Sequence, residues 1–195
     1  MSSEFRQTPY RISTTSVEDI LQAISRYGEG LQGVLSPTAE PQSASSPSQF
    51  RALLTGSTGN LGMHLLVWLL ENPEVTRVYA YNRPSSTNAS SFDRHKDQMT
   101  AHALDHAHLH SEKLVFLEGS SHSTRLGLQQ HEYDELFAQI NLVIHNAWRL
   151  DFNLPLQVYE PLIAGSRNLI HVSQAAHHRS DLRFVSVSSV LSVFS

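Results

Sequence analysis

Short apolar runs alternate with helical stretches from Phe50 to the end of the chain. The apolar runs have the length and side-chain content of buried strands, and we predict five: Ala52–Thr55, Arg77–Tyr81, Lys113–Leu117, Leu142–His145 and Leu182–Val187. Helices are predicted between them at Leu61–Glu71, in the polar stretch up to Leu109, at Glu132–Gln139 and at Leu156–His178. Strands that alternate with helices form a parallel sheet covered on both faces. The pattern therefore predicts an α/β fold with a Rossmann-type doubly wound parallel sheet.

Residues 1–49 follow a different pattern. A short amphipathic helix is predicted after a Ser/Thr cap region, with four apolar residues on one face: Val17, Ile20, Leu21 and Ile24. The segment Ser36–Pro47 consists of small polar residues with three prolines, which bury too little apolar surface to offset the entropy of ordering. We therefore divide the chain into an N-terminal helix and Ser/Pro-rich linker, residues 1–49, and an α/β domain, residues 50–195.

Composition excludes several classes of protein. The 195 residues include 14 Lys and Arg against 18 Asp and Glu, a net charge of -4, so a basic surface for nucleic acid is not expected. The longest apolar run, Leu65–Leu70, is far shorter than the roughly 20 residues that span a bilayer. The absence of cysteine excludes disulfides and thiol catalysis. We expect a cytoplasmic protein with no nucleic-acid or membrane partner.

The first predicted strand runs into a glycine-rich segment and then into a strongly apolar helix. We expect this loop to contact a nucleotide through Gly56, Ser57, Thr58, Gly59, Asn60, Leu61 and Gly62. Glycine at every third position between a strand and a helix is typical of dinucleotide-binding loops. The first glycine allows the tight turn, the second lets the backbone approach the pyrophosphate, and the third lets helix and strand pack closely. The helix N-terminus then faces the phosphates.

The end of the second strand indicates which dinucleotide binds. NAD-binding folds usually place an acidic residue about 20 positions after the glycines, where it accepts a hydrogen bond from the ribose 2′-hydroxyl. Here that place is taken by Asn82 and Arg83. A guanidinium suits a 2′-phosphate through charged, bidentate hydrogen bonds, whereas a carboxylate would repel it. We therefore predict NADP(H) as the cofactor, with a solvated surface arginine as the alternative.

Polar residues also follow the later strands. Glu118–Ser121 and Ile144–Trp148 bring polar backbone to the carboxyl edge of the sheet, where we expect them to line the adenine and ribose. His145 lies within an apolar strand, and we interpret it as a hydrogen-bonded core histidine without a catalytic role. Ser188 and Ser189 follow the fifth strand and place hydroxyls where a substrate carbonyl oxygen is stabilised in such folds.

Several histidines raise the question of a metal site. His102, His106 and His110 are four residues apart, which on a helix would place them on one face and suit Zn²⁺ or Ni²⁺. No cysteine supports such a site, and a polar surface helix explains the same residues. We predict no metal.

With these segments in view, the sequence resembles the thioester-reductase domain of fungal nonribosomal-peptide-synthetase-like enzymes, aminoadipate reductases and carboxylic acid reductases. These belong to the extended short-chain dehydrogenase/reductase group. The resemblance covers about residues 50–194 and rests on Leu54–Gly62, Val78–Arg83, Leu126–Leu128, His145–Trp148 and Asp151–Asn153. The helix Ser16–Arg26 is also similar to the segment that joins a carrier domain to the reductase. The resemblance implies NADPH-dependent reduction of an acyl thioester, held on the phosphopantetheine arm of a carrier domain, to an aldehyde or alcohol.

The resemblance also implies roles for single residues. The loop glycines match the phosphate loop, Arg83 the 2′-phosphate contact, and Asn146, Ala147 and Trp148 a further cofactor segment. Ser189 matches the active-site Ser or Thr, with Ser188 as the register alternative. Ser120 stands where the family usually carries Asp, and a serine still accepts a hydrogen bond from the adenine side.

The proton donor of the family is a Tyr with a Lys four residues later. None of the 6 tyrosines here has Lys at that spacing, and the matching pair should lie downstream of Ser195. We therefore expect a domain truncated after the fifth strand, a cofactor-binding fragment without the acid that completes the reduction.

Two other functions share parts of this pattern. A sugar-nucleotide epimerase or hydroxysteroid dehydrogenase has the same glycine loop and a serine after the fifth strand, but His145–Trp148 and the preceding helix argue against that reading. A non-catalytic module that binds NADP(H) or docks a carrier protein is the second alternative.

Overall fold

The computed structural model describes residues 15–31, 49–149, 151, 154–175 and 182–188. The predicted linker Ser36–Pro47 and the candidate catalytic Ser189 lie outside these residues. The strands are β1 Phe50–Thr55, β2 Val75–Asn82, β3 Leu114–Glu118, β4 Leu142–His145 and β5 Arg183–Ser186. The helices are α1 Val17–Gly28, α2 Asn60–Glu71, α3 Ser91–Ala101, α4 Gln130–Gln139 and α5 Leu156–Ala175, with 3₁₀ helices at His106–His110 and Thr124–Gly127.

The five strands form one parallel sheet in the order β3-β2-β1-β4-β5. Leu53 of β1 pairs with Tyr79 of β2 on one side and with Val143 of β4 on the other. The chain moves outward from β1 through β2 to β3 and then returns to build β4 and β5 on the opposite side. The direction of winding therefore reverses between β1 and β4, and ligands bind at such a switch point in open α/β sheets. The predicted doubly wound sheet is confirmed.

Two apolar cores cover the two faces of the sheet. The first lies between the sheet and helices α2 and α3, and its fully buried residues include Ala52, Leu54, Met63, Leu66, Leu69, Val78, Ala80 and Met99. The second lies against α4 and α5 and includes Leu53, Leu126, Leu136, Ile140, Val143 and Leu169. Alternate residues of β1 point to opposite cores, as the two-residue period of a strand requires.

The N-terminal helix packs on the outside of the domain. A capping box fixes its start, since the Ser16 hydroxyl accepts from the backbone of Asp19 while the Asp19 carboxylate accepts from the backbone of Ser16. Arg26 forms an ion pair of 2.8 Å with Glu160 of α5. The predicted apolar face is present, but it is not buried: Val17, Ile20, Leu21 and Ile24 are all exposed.

The polar stretch after β2 is not one long helix. Helix α3 begins after a Ser90 cap and ends at Ala101, and Ala103 then adopts a left-handed conformation with φ of 52°. His102 thus lies just past α3, while His106 and His110 lie in a separate 3₁₀ helix. The expectation that these three histidines share one helical face is therefore wrong.

The described ranges contain no cluster of three His, Cys, Asp or Glu side chains arranged to hold a metal ion.

Within the part of the chain that the structure describes, no helix has the length and apolarity needed to cross a membrane.

Candidate nucleotide-binding site

The glycine-rich loop joins β1 to α2 at the switch point of the sheet. Gly56 has φ of +70°, and a side chain there would meet the Cα of Ala147 at 2.9 Å, in the loop that follows β4. A Cβ on Gly62 would lie far inside van der Waals distance of the Gly56 carbonyl oxygen and 2.8 Å from Asn146 Nδ2. Both glycines are therefore required by the contact between the two loops, which brings the ends of β1 and β4 together.

The second glycine of the loop has a different environment. A Cβ on Gly59 would find Gly56 O at 3.4 Å as its nearest neighbour, and Gly59, Asn60 and Leu61 are exposed. Gly59 is the N-cap of α2 and supplies no side-chain cap. The first N–H groups of a helix have no partner within the helix, and together with the helix dipole they favour an anion. This surface has the chemistry that suits a phosphate group.

A buried hydrogen-bond chain holds the loop after β4 in place. Thr55 Oγ1, at the end of β1, accepts from the backbone N–H groups of Asn146 at 3.1 Å and Ala147 at 3.0 Å. Both lone pairs are then occupied, so the Thr55 hydroxyl proton points to His145 Nδ1 at 2.9 Å. His145 Nε2 in turn carries its proton and donates to Ser166 Oγ at 2.8 Å, and Ser166 donates to the carbonyl of Leu162 at 3.0 Å.

This series of hydrogen bonds gives a partner to both ring nitrogens of a neutral His145. Burial lowers the pKa of His145 below its ordinary value of 6.5, because desolvation disfavours the charged ring. The sequence interpretation of His145 as a hydrogen-bonded core histidine therefore agrees with its geometry.

Replacing Thr55 with valine tests the buried chain. The side chain keeps its shape, but two backbone N–H groups and His145 Nδ1 lose their partner, so we expect a loss of about 2–4 kcal/mol in the free energy of unfolding. Thr76→Val is the matched control, because Thr76 lies on β2, is exposed and makes one hydrogen bond of 3.3 Å to Phe50 O. That variant should change stability by less than about 0.5 kcal/mol. Equal losses in urea denaturation of the two variants would contradict this role for Thr55.

A second buried network lies under the glycine-rich loop. Asn82 Nδ2, at the end of β2, donates to Ser57 Oγ at 2.7 Å, and Ser57 Oγ lies 2.8 Å from His95 Nε2 of α3. Ser57 and His95 are both 0% exposed and Asn82 is 5% exposed. From the sequence, Ser57 and Asn82 are expected to contact the cofactor. The structure instead places both side chains beneath the loop, where they support it.

The charged groups of the site lie where β2 and β3 end. Arg83 is exposed and follows β2 directly. Arg94 of α3 donates to the Arg83 carbonyl at 3.0 Å and pairs with Glu118 Oε1 at 2.7 Å, while Ser91 donates to the same carboxylate oxygen at 2.6 Å. Hydrogen bonding by Ser91, reinforced by the Arg94 charge, lowers the pKa of Glu118. Because Arg94 already neutralises Glu118, the positive charge of Arg83 dominates at this edge.

The segment after β3 and the turn beside it leave no room for a side chain at Gly119 or Gly127. Gly119 lies against the Leu126 carbonyl, which also accepts the Tyr81 hydroxyl proton at 2.7 Å. Gly127, with φ of +69°, lies against the backbone N–H of Ser120. Ser120 itself is half-buried, with its hydroxyl 3.0 Å from His122 Nδ1. Ser120 is thus held at the carboxyl edge of the sheet, on the side of Asn82.

The segments after β4 and β5 form the other side of the candidate site. Trp148 is 48% exposed and stacks on Tyr159 of α5, with ring centroids 6.2 Å apart. The Tyr159 hydroxyl donates to the carbonyl of Asp151 and so fixes the end of this loop. Val187 donates its N–H to the His145 carbonyl at 2.9 Å, and the exposed Ser188 follows. Ser188 therefore lies at the same edge of the sheet as Asn146 and the glycine loop.

Sequence reasoning misses two residues of this site. Arg94 and His95 lie in a polar helix with few apolar residues, so neither the hydrophobic pattern nor a motif identifies them. A weaker signal exists, since the buried residues of α3 are Ser91, His95 and Met99, spaced four apart. That spacing marks the face of α3 that packs on the sheet and the loop.

A doubly wound sheet with a glycine-rich loop, an open helix N-terminus and an arginine after β2 defines a nucleotide-binding domain of the Rossmann class. The chain matches the family model described as male sterility protein over residues 54–195. The chain therefore belongs to this family of NAD(P)-binding reductase domains, and its cofactor is a nicotinamide dinucleotide.

Relatives and solved structures agree with this assignment. The chain is 43% identical to the adenylate-forming reductase Nps11 of Serpula lacrymans over 174 residues, which are 89% of this chain and 16% of that protein. It is 38% identical to Nps10 of Heterobasidion annosum, over 76% of this chain and 14% of the relative. The terminal R domain of a myxalamid PKS-NRPS pathway superposes with a TM-score of 0.61 and 26% identity, over 73% of this chain and 35% of that one. The chain thus spans about a sixth of these curated relatives, and the resemblance to reductase domains is confirmed.

Proposed function

We propose that this domain binds NADP(H) and acts in the reduction of an acyl thioester, carried on the phosphopantetheine arm of a carrier domain, to an aldehyde. The observation that carries the proposal is the loop Gly56–Gly62, in which Gly59 is exposed, and which opens on the N-terminus of α2 at the switch point of the sheet and contacts the end of β2, where Arg83 follows. NADPH, when bound, supplies the hydride. The residues of the chain bind and orient it.

Each part of the dinucleotide has a candidate partner in the site. Gly59, Asn60 and Leu61 are exposed, and the N–H groups at this helix N-terminus suit the pyrophosphate. Arg83 suits the 2′-phosphate, since a guanidinium forms bidentate hydrogen bonds with it. Ser120, together with the backbone after β3, suits the adenine, and Asn146, Ala147 and Trp148 suit the ribose on the nicotinamide side.

The thioester part of the proposal is supported by the proteins to which this domain is similar. The relatives include adenylate-forming reductases, and one solved structure with the same fold is a thiolation-reductase di-domain of an archaeal nonribosomal peptide synthetase. The substrate carbonyl would lie near the end of β5, where the Ser189 hydroxyl, with Ser188 as its neighbour, is our candidate for stabilising the oxygen. A hydroxyl that donates to this oxygen stabilises the negative charge that develops during reduction.

A single-turnover assay tests the proposed reaction. The protein in excess, NADPH and S-octanoylpantetheine should give octanal, free thiol and NADP⁺, followed by mass spectrometry and by the loss of reduced-nicotinamide absorbance. The reduction consumes one NADPH and one proton for each thioester, so we expect one NADP⁺ and one free thiol for each octanal formed.

Two controls make the assay decisive. Gly59→Ala should lower product formation at limiting NADPH, because the added methyl occupies the side from which the pyrophosphate would approach. UDP-glucose with NADP⁺, in place of the thioester and NADPH, should give no UDP-galactose and no reduced nicotinamide. Binding of NADPH without any aldehyde would favour a non-catalytic cofactor-binding or carrier-docking module, and conversion of UDP-glucose to UDP-galactose would favour an epimerase-like enzyme.

A further inference from the structure

His95 is a buried histidine whose proton positions are fixed by its neighbours. Its Nδ1 lies 2.6 Å from the backbone carbonyl of Ser91, which only accepts, so Nδ1 carries the ring proton. Nε2 is therefore the acceptor, and the Ser57 hydroxyl donates to it at 2.8 Å. Ser57 Oγ in turn accepts from Asn82 Nδ2 at 2.7 Å. The chain of donors runs from β2 through the glycine-rich loop to α3.

This chain is complete only for the neutral imidazole. A proton on Nε2 would point at Ser57 Oγ, and the Ser57 hydroxyl proton would lose its acceptor in a place that water does not reach, since Ser57 and His95 are 0% exposed. A buried polar group without a partner costs about as much as a lost hydrogen bond or more. The aromatic ring of Phe116 on β3, 4.8 Å from the His95 ring, adds an apolar wall.

The charged groups around His95 are few in the described structure. Arg94 precedes His95 on α3. Glu118 of β3 is paired with Arg94 and accepts a hydrogen bond from Ser91. The glycine loop and β2 contribute the uncharged Ser57 and Asn82. Burial is the largest cause that lowers the pKa of His95 below 6.5; the Arg94 charge lowers it further, while the Ser91 carbonyl and Glu118 act in the opposite direction.

We propose that His95 is a positioning residue of the cofactor site: as a neutral imidazole it fixes Ser57 and thereby the backbone of the glycine-rich loop, and its protonation releases the loop and weakens binding of the dinucleotide. The inference rests on the proposed NADP(H) site, and it adds a proton-sensitive support on the face of the loop opposite the ligand. His145 braces the loop after β4 from the other face of the sheet, with the opposite ring nitrogen protonated.

The consequence for stability and binding has a definite sign. A histidine whose pKa is lowered in the folded state binds fewer protons than in the unfolded state, so stability is full above pH 6.5 and falls as the pH drops through the interval between 6.5 and the lower folded pKa. Binding that requires neutral His95 weakens in acid by up to about tenfold per pH unit below its folded pKa.

Calorimetric titration of NADPH against pH tests the proposal with three variants. His95→Gln keeps one acceptor and one donor and does not titrate, so it should bind within about threefold of wild type at neutral pH and lose the His95 part of the acid dependence. His95→Leu should bind at least tenfold more weakly at every pH. His131→Gln, on the exposed face of α4, should match wild type throughout. Protonation of the 2′-phosphate and of His145 occurs in all four proteins and cancels in the comparison. Parallel pH profiles for wild type and His95→Gln would overturn the proposal.

An NMR measurement on the free protein separates this inference from the proposed function. Long-range ¹H–¹⁵N spectra should show His95 protonated on Nδ1 and His145 on Nε2 at neutral pH. On acidification the Gly56, Ser57 and Gly59 amides should shift with the same midpoint as the His95 ring, and Ser57→Ala should raise that midpoint. If the signals of the loop amides do not shift with the His95 titration, the positioning role is refuted even if NADPH binds. If they follow it while no NADPH binds, the proposed function fails and the support of the loop by His95 stands.

Discussion

Gly62→Ala is expected to destabilise the domain by about 3 kcal/mol or more, because the new Cβ has no room. It would clash with the backbone oxygen of Gly56 and approach Asn146 Nδ2 to 2.8 Å. A backbone oxygen does not give way as a flexible side chain does, so either α2 or the glycine loop has to move. Gly62 is buried at the start of α2, where such a movement also disturbs Met63 and Leu66 in the core. Chemical denaturation followed by circular dichroism measures the loss.

Gly59→Ala is the matched comparison within the same loop. Its backbone has φ of -80°, which alanine adopts freely, and the nearest atom to the added Cβ is 3.4 Å away. We expect a change of less than about 1 kcal/mol in the free energy of unfolding. NADPH affinity should nevertheless fall at least tenfold, since the methyl group faces the open side of the loop. Equal destabilisation by the two substitutions would show that the three glycines do not have the separate roles assigned here.

Arg83→Ala is expected to remove the discrimination between NADPH and NADH. A charged hydrogen bond to a phosphate contributes about 1.5–3 kcal/mol, so the affinity for NADPH should fall about 10- to 150-fold while the affinity for NADH stays nearly constant. Arg83 is suited to this role because it is exposed, and the neighbouring guanidinium of Arg94 is paired with Glu118 and hydrogen-bonded to the Arg83 carbonyl. Fluorescence titration with each nucleotide at one fixed ionic strength measures both affinities.

Arg77→Ala controls for a general loss of positive charge. Arg77 lies near the start of the same strand, and its guanidinium donates to the carbonyl of Glu112, at the end of the sheet away from the glycine loop. Its removal lowers the net charge by the same amount and should leave the preference for NADPH unchanged. A similar loss of preference in both variants would mean that long-range charge, rather than a contact of Arg83, selects the nucleotide.

The strands and most helices are predictable from the sequence because each has one dominant signal. Leu142–His145 is a short apolar run between polar residues, and its predicted bounds agree with β4. The polar stretch after β2 has no such signal, and the end of α3 at Ala101 depends on the left-handed turn at Ala103. Arg125 and Leu126 also adopt positive φ without being glycine, because Leu126 is buried in the core and its carbonyl accepts from Tyr81. Tertiary contacts therefore decide the conformation at Arg125 and Leu126.

The candidate site also has parts that the sequence predicts and parts that it does not. The glycine loop and Arg83 follow from spacing along the chain, since strand, loop and helix are consecutive. The partners of Ser57 and Thr55 do not, because His95, Asn82 and His145 approach them from distant parts of the sequence. The sequence therefore predicts that Ser57 and Asn82 contact the cofactor but does not show that their side chains lie buried beneath the loop. Ser189 stays a prediction, and it lies outside the described residues.

Calorimetric titration of the unmodified protein with NADPH and NADH, at one pH and ionic strength, tests the proposed NADP(H) site. We expect one NADPH bound per chain, with an affinity about 10- to 150-fold higher than that for NADH. Equal affinities would contradict the role of Arg83, and a folded protein that binds neither nucleotide would contradict the assignment of the glycine-rich loop as a cofactor site.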